Sequence, residues 1–293
     1  MNISEPKFEQ HTFNIKGNSY SFFVMREDLL HPVFSGNKWR KLDVINQVRL
    51  DSGKLGIASC GGPYSNHLHA LAFFGKEMGI RTKAIVPGKH FSFLSRTLQD
   101  CEAWGMDLTF VSRSEFDALR YQTERPDLVD ESYFWCGEGG WMLNPFQGYA
   151  KINLADWSDA YFHCGVGSGG TIGGLALNPF LSQKITGYPC VSGDQELHCR
   201  LVEFGSKICL EEQHVGHGYG KLEKSQLDFA DDFFDQTGII LDPVYTLKMA
   251  YYFFCHGLEG GQGKDERHVL VHSGGVQGWA GFKERPKCCA AIT

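Results

Sequence analysis

The sequence predicts an α/β protein in which parallel sheets form two lobes. Short apolar runs typical of buried strands alternate with longer segments of helical spacing, first up to residue 111 and again from residue 160. Several of these strands end in glycine- or serine-rich turns, which is typical of a ligand site at the carboxyl ends of parallel strands. We therefore expect two lobes, each a parallel sheet between helix layers, with the site in the cleft.

The first alternation gives a regular series of elements in the amino-terminal half. Strands are predicted where apolar residues run together, and helices where they recur at helical spacing. The strands are at 20–25, 55–60, 83–86 and 107–111, and the helices are at 67–78 and 98–104.

The second alternation begins at residue 160 and is less regular. Strands are predicted at 160–164, 239–241 and 268–272, with a helix that begins at Leu175. Residues 138–148 have the composition of a loop and suit a crossing between lobes, whereas residues 187–220 show no clear pattern.

Composition narrows the class of protein. The chain has 293 residues, 42% of them hydrophobic and 21% charged, as in ordinary globular proteins. The net charge is −6 and no run of Lys or Arg exceeds two residues, which argues against nucleic acid or an anionic membrane as a partner. No apolar stretch approaches the length of about 18 residues that a membrane span needs, and no signal peptide is evident. We expect a cytoplasmic protein.

A glycine-rich turn follows the strand predicted at 160–164. Residues 165–174 read Gly-Val-Gly-Ser-Gly-Gly-Thr-Ile-Gly-Gly. Glycines let backbone N–H groups converge, and a helix start adds positive potential, so this turn suits a phosphate. No lysine follows as in a P-loop, and the dinucleotide pattern fits only through Gly165, Gly167 and Gly170. The alternative is a tight turn without a ligand.

A second motif places Lys38 at the head of an amphipathic segment. Residues 34–42 read Phe-Ser-Gly-Asn-Lys-Trp-Arg-Lys-Leu, and either Ser35 or Asn37 suits a helix cap. A helix start favours the neutral amine, and lysine forms Schiff bases with pyridoxal phosphate. No other lysine follows a comparable turn. A solvated surface lysine is the alternative, but a phosphate turn elsewhere in the chain favours pyridoxal 5′-phosphate as cofactor.

Cysteines and histidines give little support for metal or disulfide chemistry. The ten cysteines are scattered without a C-x-x-C pair, and we expect Cys288 and Cys289 to be exposed. His214 and His217 have a spacing that suits a metal, but they lack cysteine or carboxylate companions, so no metal site is predicted.

Three other strand ends carry polar side chains. Ser65 and Asn66 follow the strand at 55–60, an Asp-Pro turn precedes Tyr245, and Ser273 follows the strand at 268–272. Ser65 and Asn66 suit a helix cap, or they face a cofactor oxygen or a substrate carboxylate.

Taken together, these motifs resemble the tryptophan-synthase-β-like (fold type II) pyridoxal phosphate enzymes. Within them, the chain is similar to the D-cysteine desulfhydrases and 1-aminocyclopropane-1-carboxylate deaminases. The matching stretches are Arg26-Glu27-Asp28-Leu29 and residues 35–42, 65–67, 167–171, 241–246 with Lys248, and 272–275.

The resemblance implies a role for each motif. Lys38 would form the covalent link to the cofactor, Asn66 would contact its 3′ oxygen, and Ser65 would be a catalytic hydroxyl. Tyr245 and Tyr219 would be active-site tyrosines, unless they are ordinary half-buried aromatics. The phosphate would be held by Gly167, Ser168, Gly169, Gly170 and Thr171. It also implies a larger cofactor-binding domain (1–46 and 146–293), a smaller domain (47–145) and a homodimer.

Two positions bear on the reaction. Thr246 and Ser273 stand where the cyclopropane deaminases have Glu and Leu. A carboxylate would keep the pyridine nitrogen protonated, whereas a hydroxyl suffices for a good leaving group such as a thiolate. We predict β-elimination of a small amino acid, D-cysteine giving pyruvate, sulfide and ammonia.

Alternatives to this reaction remain open. They are deamination of 1-aminocyclopropane-1-carboxylate to 2-oxobutyrate and ammonia, and a non-catalytic protein that binds pyridoxal phosphate or an amino acid. Tyr64, His69 and Leu247 stand where the group usually has Gln, Arg and Gly, which leaves the substrate open. The group that removes the α-proton is also open, with Lys38, Ser65 and Tyr219 as candidates.

Overall fold

The computed structural model describes residues 5–31, 33, 36–88, 94–120, 122–141, 147–190, 197–211, 220–257, 266–282 and 285–292. The strands are β1 (Lys7–Ile15), β2 (Asn18–Arg26), β3 (Gly56–Cys60), β4 (Arg81–Pro87), β5 (Asp107–Val111), β6 (Tyr133–Trp135), β7 (Tyr161–Val166), β8 (Ile185–Pro189), β9 (Ile208–Leu210) and β10 (His268–His272). The helices are α1 (Asn37–Asp51), α2 (Asn66–Met78), α3 (Arg96–Ala103), α4 (Arg113–Leu119), α5 (Gln147–Ala150), α6 (Gly170–Ala176), α7 (Leu197–Leu201), α8 (Lys224–Thr237) and α9 (Thr246–Tyr252).

The chain divides into two compact units. The small unit contains His31–Gly148, and the large unit combines Ser4–Leu30 with Tyr149–Thr293. The domain change predicted after residue 46 falls inside α1, whereas the chain enters the small unit at residue 31 and leaves it after residue 148. Helix α1 lies in the small unit because it packs on α2 and β3.

The small unit is built on a four-stranded parallel sheet in the order β5-β4-β3-β6. Every residue of β3 is buried, as expected for a central strand of a parallel sheet with both faces covered. Leu42 and Ile45 of α1 and Leu68 and Leu71 of α2 pack in one cluster on this sheet. The first turns of α1 and α2 are thereby fixed by a common core.

The large unit is built on a six-stranded sheet in the order β1-β2-β10-β7-β8-β9. Strands β1 and β2 are antiparallel and the other pairs are parallel. The register of β2 and β10 places Arg26 opposite His272. Phe13, Phe22 and Phe233 form part of the core on one face.

The α/β class and the parallel sheet of the small unit are confirmed, whereas the sheet of the large unit is mixed because β1 pairs with β2 antiparallel. Some local predictions are also corrected. Helix α6 begins at Gly170, not at Leu175, because burial of Ile172 and its neighbours compensates for the low helix propensity of glycine. Residues 239–241 precede a turn and are not a strand. Cys288 and Cys289 are buried, since the backbone N–H of Cys288 donates to Asp231 of α8 at 2.9 Å. Within the described residues, no helix is long and apolar enough to cross a membrane.

Candidate functional site

Lys38 lies in the first turn of α1, in the small unit. Gly36, just before the helix, has a φ of 72°, a conformation that favours glycine. Among the described residues no side chain caps this end: Asn37 is the first helical residue, and Ser35 lies outside the described residues. Lys38 is half-buried, and its Nζ donates a hydrogen bond to Asn37 Oδ1. The amine is therefore held at the start of a helix, where the positive pole of the helix dipole lies.

Two further lysines are buried, which the sequence alone did not reveal. Lys41, also in α1, is 7% exposed, and its Nζ donates to the carbonyl of Gly139 at 2.9 Å. Lys248, in α9 of the large unit, is 1% exposed, and its Nζ donates to the carbonyl of Cys190 at 3.2 Å. Burial lowers the pKa of Lys248. Neither lysine follows a Ser-Gly-Asn turn, so the assignment of Lys38 stays a prediction, but burial does not distinguish Lys38 from these two lysines.

The turn between β3 and α2 carries Ser65 and Asn66, both half-buried. Ser65 is the N-cap of α2, and its Oγ accepts a hydrogen bond from the backbone N–H of Leu68 at 3.3 Å. A Cβ on Gly61 would lie 2.7 Å from this oxygen, so the turn needs glycine there. The capping interpretation is confirmed for Ser65, and its catalytic role stays a prediction.

His67, the second residue of α2, is a buried group that the sequence analysis did not single out. Its Nε2 lies 3.0 Å from Ser59 Oγ, which also donates to the carbonyl of Gly137 at 3.1 Å. Because that carbonyl only accepts, His67 donates through Nε2, and Nδ1 has no partner among the described residues. Burial, with the charges of Lys41 and Lys38, lowers the pKa of His67 to about 3. The ring is neutral at physiological pH.

In the large unit, a glycine turn joins β7 to α6. Gly169 is the N-cap of α6 and has a φ of 90°, and a Cβ there would lie 3.1 Å from Leu201 Cδ2. A Cβ on Gly167 would lie 2.9 Å from the ring of Tyr245. The first amides of a helix have no carbonyl partner within it, and Gly170 begins this one. Larger side chains at these two glycines would collide with Tyr245 and Leu201.

Ser168 and Thr171 supply the hydroxyl groups of the same turn. Ser168 is half-buried, and Thr171 is 6% exposed. The turn contains no titratable side chain, so an anion there would be held by amide and hydroxyl dipoles. The backbone amides of this turn and the hydroxyls of Ser168 and Thr171 are donors that fit a phosphate group.

Asp242 organises the start of α9. Its buried carboxylate accepts hydrogen bonds from the backbone N–H groups of Val244, Tyr245 and Thr246 at 3.0, 2.9 and 2.7 Å. It also accepts from the hydroxyl of Thr246, whose Oγ1 in turn accepts from the backbone N–H of Asp242 at 2.9 Å. Asp242 thereby fixes two predicted site residues, a role that the sequence motif alone did not reveal.

Ser273 follows β10 and opens a turn of two left-handed glycines. The φ angles of Gly274 and Gly275 are 76° and 97°. The buried ring of His272 bonds on both sides, to the backbone N–H of Gly274 at 3.2 Å and to the carbonyl of Ile240 at 2.8 Å. The turn that presents Ser273 is therefore fastened to the segment that precedes α9.

Besides Ser35, three other residues singled out from the sequence lie outside the described residues, namely Tyr219, His214 and His217. Within the large unit, the structure brings Gly167 and Tyr245 into contact. Within the small unit, Lys38 and Asn66 begin helices that share one core. No group of three or more metal-ligating side chains occurs in the part of the chain that is described.

Comparisons with known proteins cover nearly the whole chain. A putative 1-aminocyclopropane-1-carboxylate deaminase of Thermotoga maritima is 26% identical over 88% of this chain and 90% of its own length. A bifunctional D-cysteine desulfhydrase/1-aminocyclopropane-1-carboxylate deaminase of Arabidopsis thaliana is 23% identical over 92% of this chain and 76% of its own length. The crystal structure of an ACC deaminase homologue superposes with a TM-score of 0.76 at 19% identity, covering 94% of this chain and 91% of that one. No family model matches the sequence.

Proposed function

We propose that this chain, a member of the D-cysteine desulfhydrase and 1-aminocyclopropane-1-carboxylate deaminase group of fold type II pyridoxal phosphate enzymes, is a lyase. Its reaction would be β-elimination from a small amino acid, with D-cysteine giving pyruvate, sulfide and ammonia. The named relatives support the class of reaction. The observation that carries it is the glycine turn before α6, where Gly167 packs on Tyr245 and Gly169, beside Leu201, is an N-cap without a side-chain cap hydrogen bond among the described residues.

Pyridoxal phosphate, when bound, supplies an electron sink that stabilises the negative charge left when the α-proton of an amino acid is removed. The backbone of Gly167, Gly169 and Gly170 would bind the phosphate, with the hydroxyls of Ser168 and Thr171. Lys38 supplies the amine for the covalent link, and its position in the first turn of α1 supports this role.

The residues around the substrate would orient it and move its protons. The Asn66 amide and the first amides of α2 suit an oxygen of the cofactor or a carboxylate of the substrate. Ser65, Tyr245 and Tyr219 are the hydroxyl groups that we propose near the reacting atoms. Proton removal from the α-carbon would use Lys38, Ser65 or Tyr219.

The choice of β-elimination over ring opening rests on Thr246 and Ser273. Neither supplies a carboxylate, and a weaker electron sink suffices only when the leaving group departs readily. Deamination of 1-aminocyclopropane-1-carboxylate is the second candidate, because relatives carry that name as well. We further propose that the enzyme is a cytoplasmic homodimer.

The lysine assignment is tested by borohydride reduction of the cofactor-loaded protein, followed by peptide mapping. We expect the label on Lys38, with Lys41 and Lys248 unlabelled. Lys38→Ala should lose the visible absorption of the bound cofactor and all activity, whereas Lys248→Met should keep the label on Lys38. A label on Lys41 or Lys248 would contradict the assignment.

The substrate choice is tested by assaying sulfide, pyruvate and 2-oxobutyrate. We expect sulfide and pyruvate from D-cysteine, and little 2-oxobutyrate from 1-aminocyclopropane-1-carboxylate. The double variant Thr246→Glu/Ser273→Leu should shift activity toward the cyclopropane substrate. A parent enzyme that prefers this substrate would refute the choice, and inactivity on both with the cofactor still bound would point to other β-substituted amino acids.

A further inference from the structure

The Arg-Glu-Asp motif at residues 26–28 has no role in the proposed chemistry, yet Arg26 and Asp28 form a partly buried ionic network with Glu9. Arg26 donates through Nε and Nη2 to the two carboxylate oxygens of Asp28, at 2.9 and 2.7 Å. Its Nη1 donates to Glu9 Oε2 at 2.5 Å. The side chains of Arg26 and Asp28 are only 13% and 12% exposed. This fork geometry is specific to a guanidinium and a carboxylate.

The network ends beside the buried ring of His272. Asp28 Oδ1 lies 3.9 Å from His272 Nδ1, which is beyond hydrogen-bond distance. The parallel register of β2 and β10 places Arg26 and His272 opposite each other, so the backbone fixes this arrangement. The other charged groups close by in sequence or contact are Glu27, Glu9 and Asp242.

The backbone partners of His272 determine which nitrogen carries the proton. The carbonyl of Ile240 can only accept, so Nε2 carries a hydrogen. The backbone N–H of Gly274 can only donate, so Nδ1 must present a lone pair. A proton on Nδ1 would break the bond to Gly274 and turn the ring toward Asp28. The observed turn at Ser273 therefore requires a hydrogen on Nε2 and a lone pair on Nδ1.

We propose that Arg26 is a positioning residue that acts through Asp28 and His272 on the turn that presents Ser273. By binding both oxygens of Asp28, Arg26 offsets the attraction of that carboxylate for a proton on Nδ1. Nδ1 of His272 then keeps its lone pair and holds the turn through Gly274. The link from the turn to the reaction rests on the proposed function, whereas the link from Arg26 to the ring of His272 does not.

The test is to remove the arginine and then to remove the charge that it offsets. Nitrogen NMR of labelled histidine in the cofactor-loaded protein distinguishes a ring N–H from a lone pair, and His272→Gln identifies the signals of His272. In the parent at pH 7 we expect the His272 ring to show an N–H at Nε2 and a lone pair at Nδ1. In Arg26→Met we expect partial protonation of Nδ1 and amide exchange at Gly274 about tenfold faster, from loss of one hydrogen bond.

The double variant Arg26→Met/Asp28→Asn should restore the neutral ring and the slow exchange at Gly274, because both charges are gone. A packing role alone would not be rescued by a second substitution. Arg113→Met, which breaks an exposed pair with Asp117, is the matched control and should leave His272 unchanged. The inference would be overturned if the His272 ring in Arg26→Met gave the same nitrogen signals as in the parent. It would also be overturned if the double variant did not restore the parent's signals and the slow exchange at Gly274.

Two further variants test which hydrogen bond of His272 holds the turn at Ser273. His272→Asn retains an acceptor near the position of Nδ1, whereas His272→Gln retains a donor near that of Nε2. If Gly274 is the partner that sets the turn, the asparagine variant should keep slower amide exchange at Gly274 than the glutamine variant. The reverse order would contradict the role of Nδ1.

Enzyme kinetics separate this inference from the proposed function. With D-cysteine, Arg26→Met should lower kcat about tenfold with a smaller effect on KM, and the double variant should recover most of it. If Nδ1 of His272 becomes protonated in Arg26→Met but the kinetics are unchanged, the turn has no part in the reaction. That result would overturn the positioning role. If the parent binds no cofactor, the proposed function fails, and the positioning role fails with it, while the NMR result still decides the link between Arg26 and His272.

Discussion

Two strand–helix junctions, one in each unit, carry predicted site residues and are built in opposite ways. In the small unit, the turn from β3 to α2 ends in Ser65, whose side chain caps the helix. In the large unit, the turn from β7 to α6 ends in Gly169, and no side chain makes a cap hydrogen bond among the described residues. The first junction places a hydroxyl and an amide at a helix start, and the second leaves bare backbone there.

This difference corresponds to two kinds of ligand contact. A side-chain cap satisfies one of the free amides of a helix and so reduces what is left for an anion. A glycine cap leaves these amides uncovered, at the cost of a left-handed conformation that other residues adopt poorly. The glycine junction therefore suits a phosphate, and the capped junction suits a group that needs one directed hydroxyl.

The largest expected effect comes from breaking the glycine junction. Gly169→Val puts a β-branched residue at a φ of 90° with Leu201 within 3.1 Å of its Cβ. Strain of about 1–3 kcal/mol should move the turn and lower the affinity for pyridoxal phosphate about 10- to 100-fold. Equilibrium titration of the apoprotein with the cofactor measures this affinity.

The matched control is Gly62→Ala in the capped junction, because nothing lies within 4 Å of a Cβ at this position. This variant should bind the cofactor as the parent does. Equal affinity of folded Gly169→Val and the parent would mean that this turn does not hold the phosphate.

The second effect is a loss of stability in acid, to which His67 of the capped junction contributes. His67 has a pKa of about 3 in the folded chain, against 6.5 ordinarily. Between these values the unfolded chain binds a proton that the folded chain does not, so stability falls as pH falls from 6.5 toward 3. At pH 5 the loss relative to pH 7 is about 2 kcal/mol from this group.

The measurement is the free energy of unfolding by denaturant at pH 7 and pH 5, for the parent protein and for His67→Gln. The variant is less stable at pH 7, but it should show a smaller difference between the two pH values. An identical difference in both proteins would show that His67 does not control the acid response.

The smallest effect concerns the cap itself. Ser65→Ala should reduce the free energy of unfolding by about 1 kcal/mol, because the backbone N–H of Leu68 loses its acceptor. Ser65→Asp should retain the stability, since aspartate also caps helices. Because neither variant retains the hydroxyl, both should lose activity if Ser65 is catalytic. Activity that follows stability across the two variants would identify Ser65 as a cap alone.

The sequence predicted the strand–turn–helix order because burial in a parallel sheet leaves a simple apolar pattern, as at β3. It failed at α6, where Gly170 is helical only because its surroundings are packed, and helix propensity carries no such information. It also missed Lys41, Lys248 and His67, whose burial depends on distant backbone carbonyls or a distant serine. Side-chain types show what chemistry is available, and only the tertiary structure shows which groups lose water.

The hydroxyl of Thr246 has a directional consequence for whatever molecule binds next to it. Its hydrogen points to the carboxylate of Asp242, and one of its two lone pairs accepts the backbone N–H of the same residue. A single lone pair of this oxygen therefore remains for a hydrogen bond with a bound ligand. Such an oxygen can form a hydrogen bond with a neighbouring donor group. A neighbouring group that is only an acceptor is repelled. Thr246 thus favours a hydrogen-bond donor as its neighbour without carrying any charge itself.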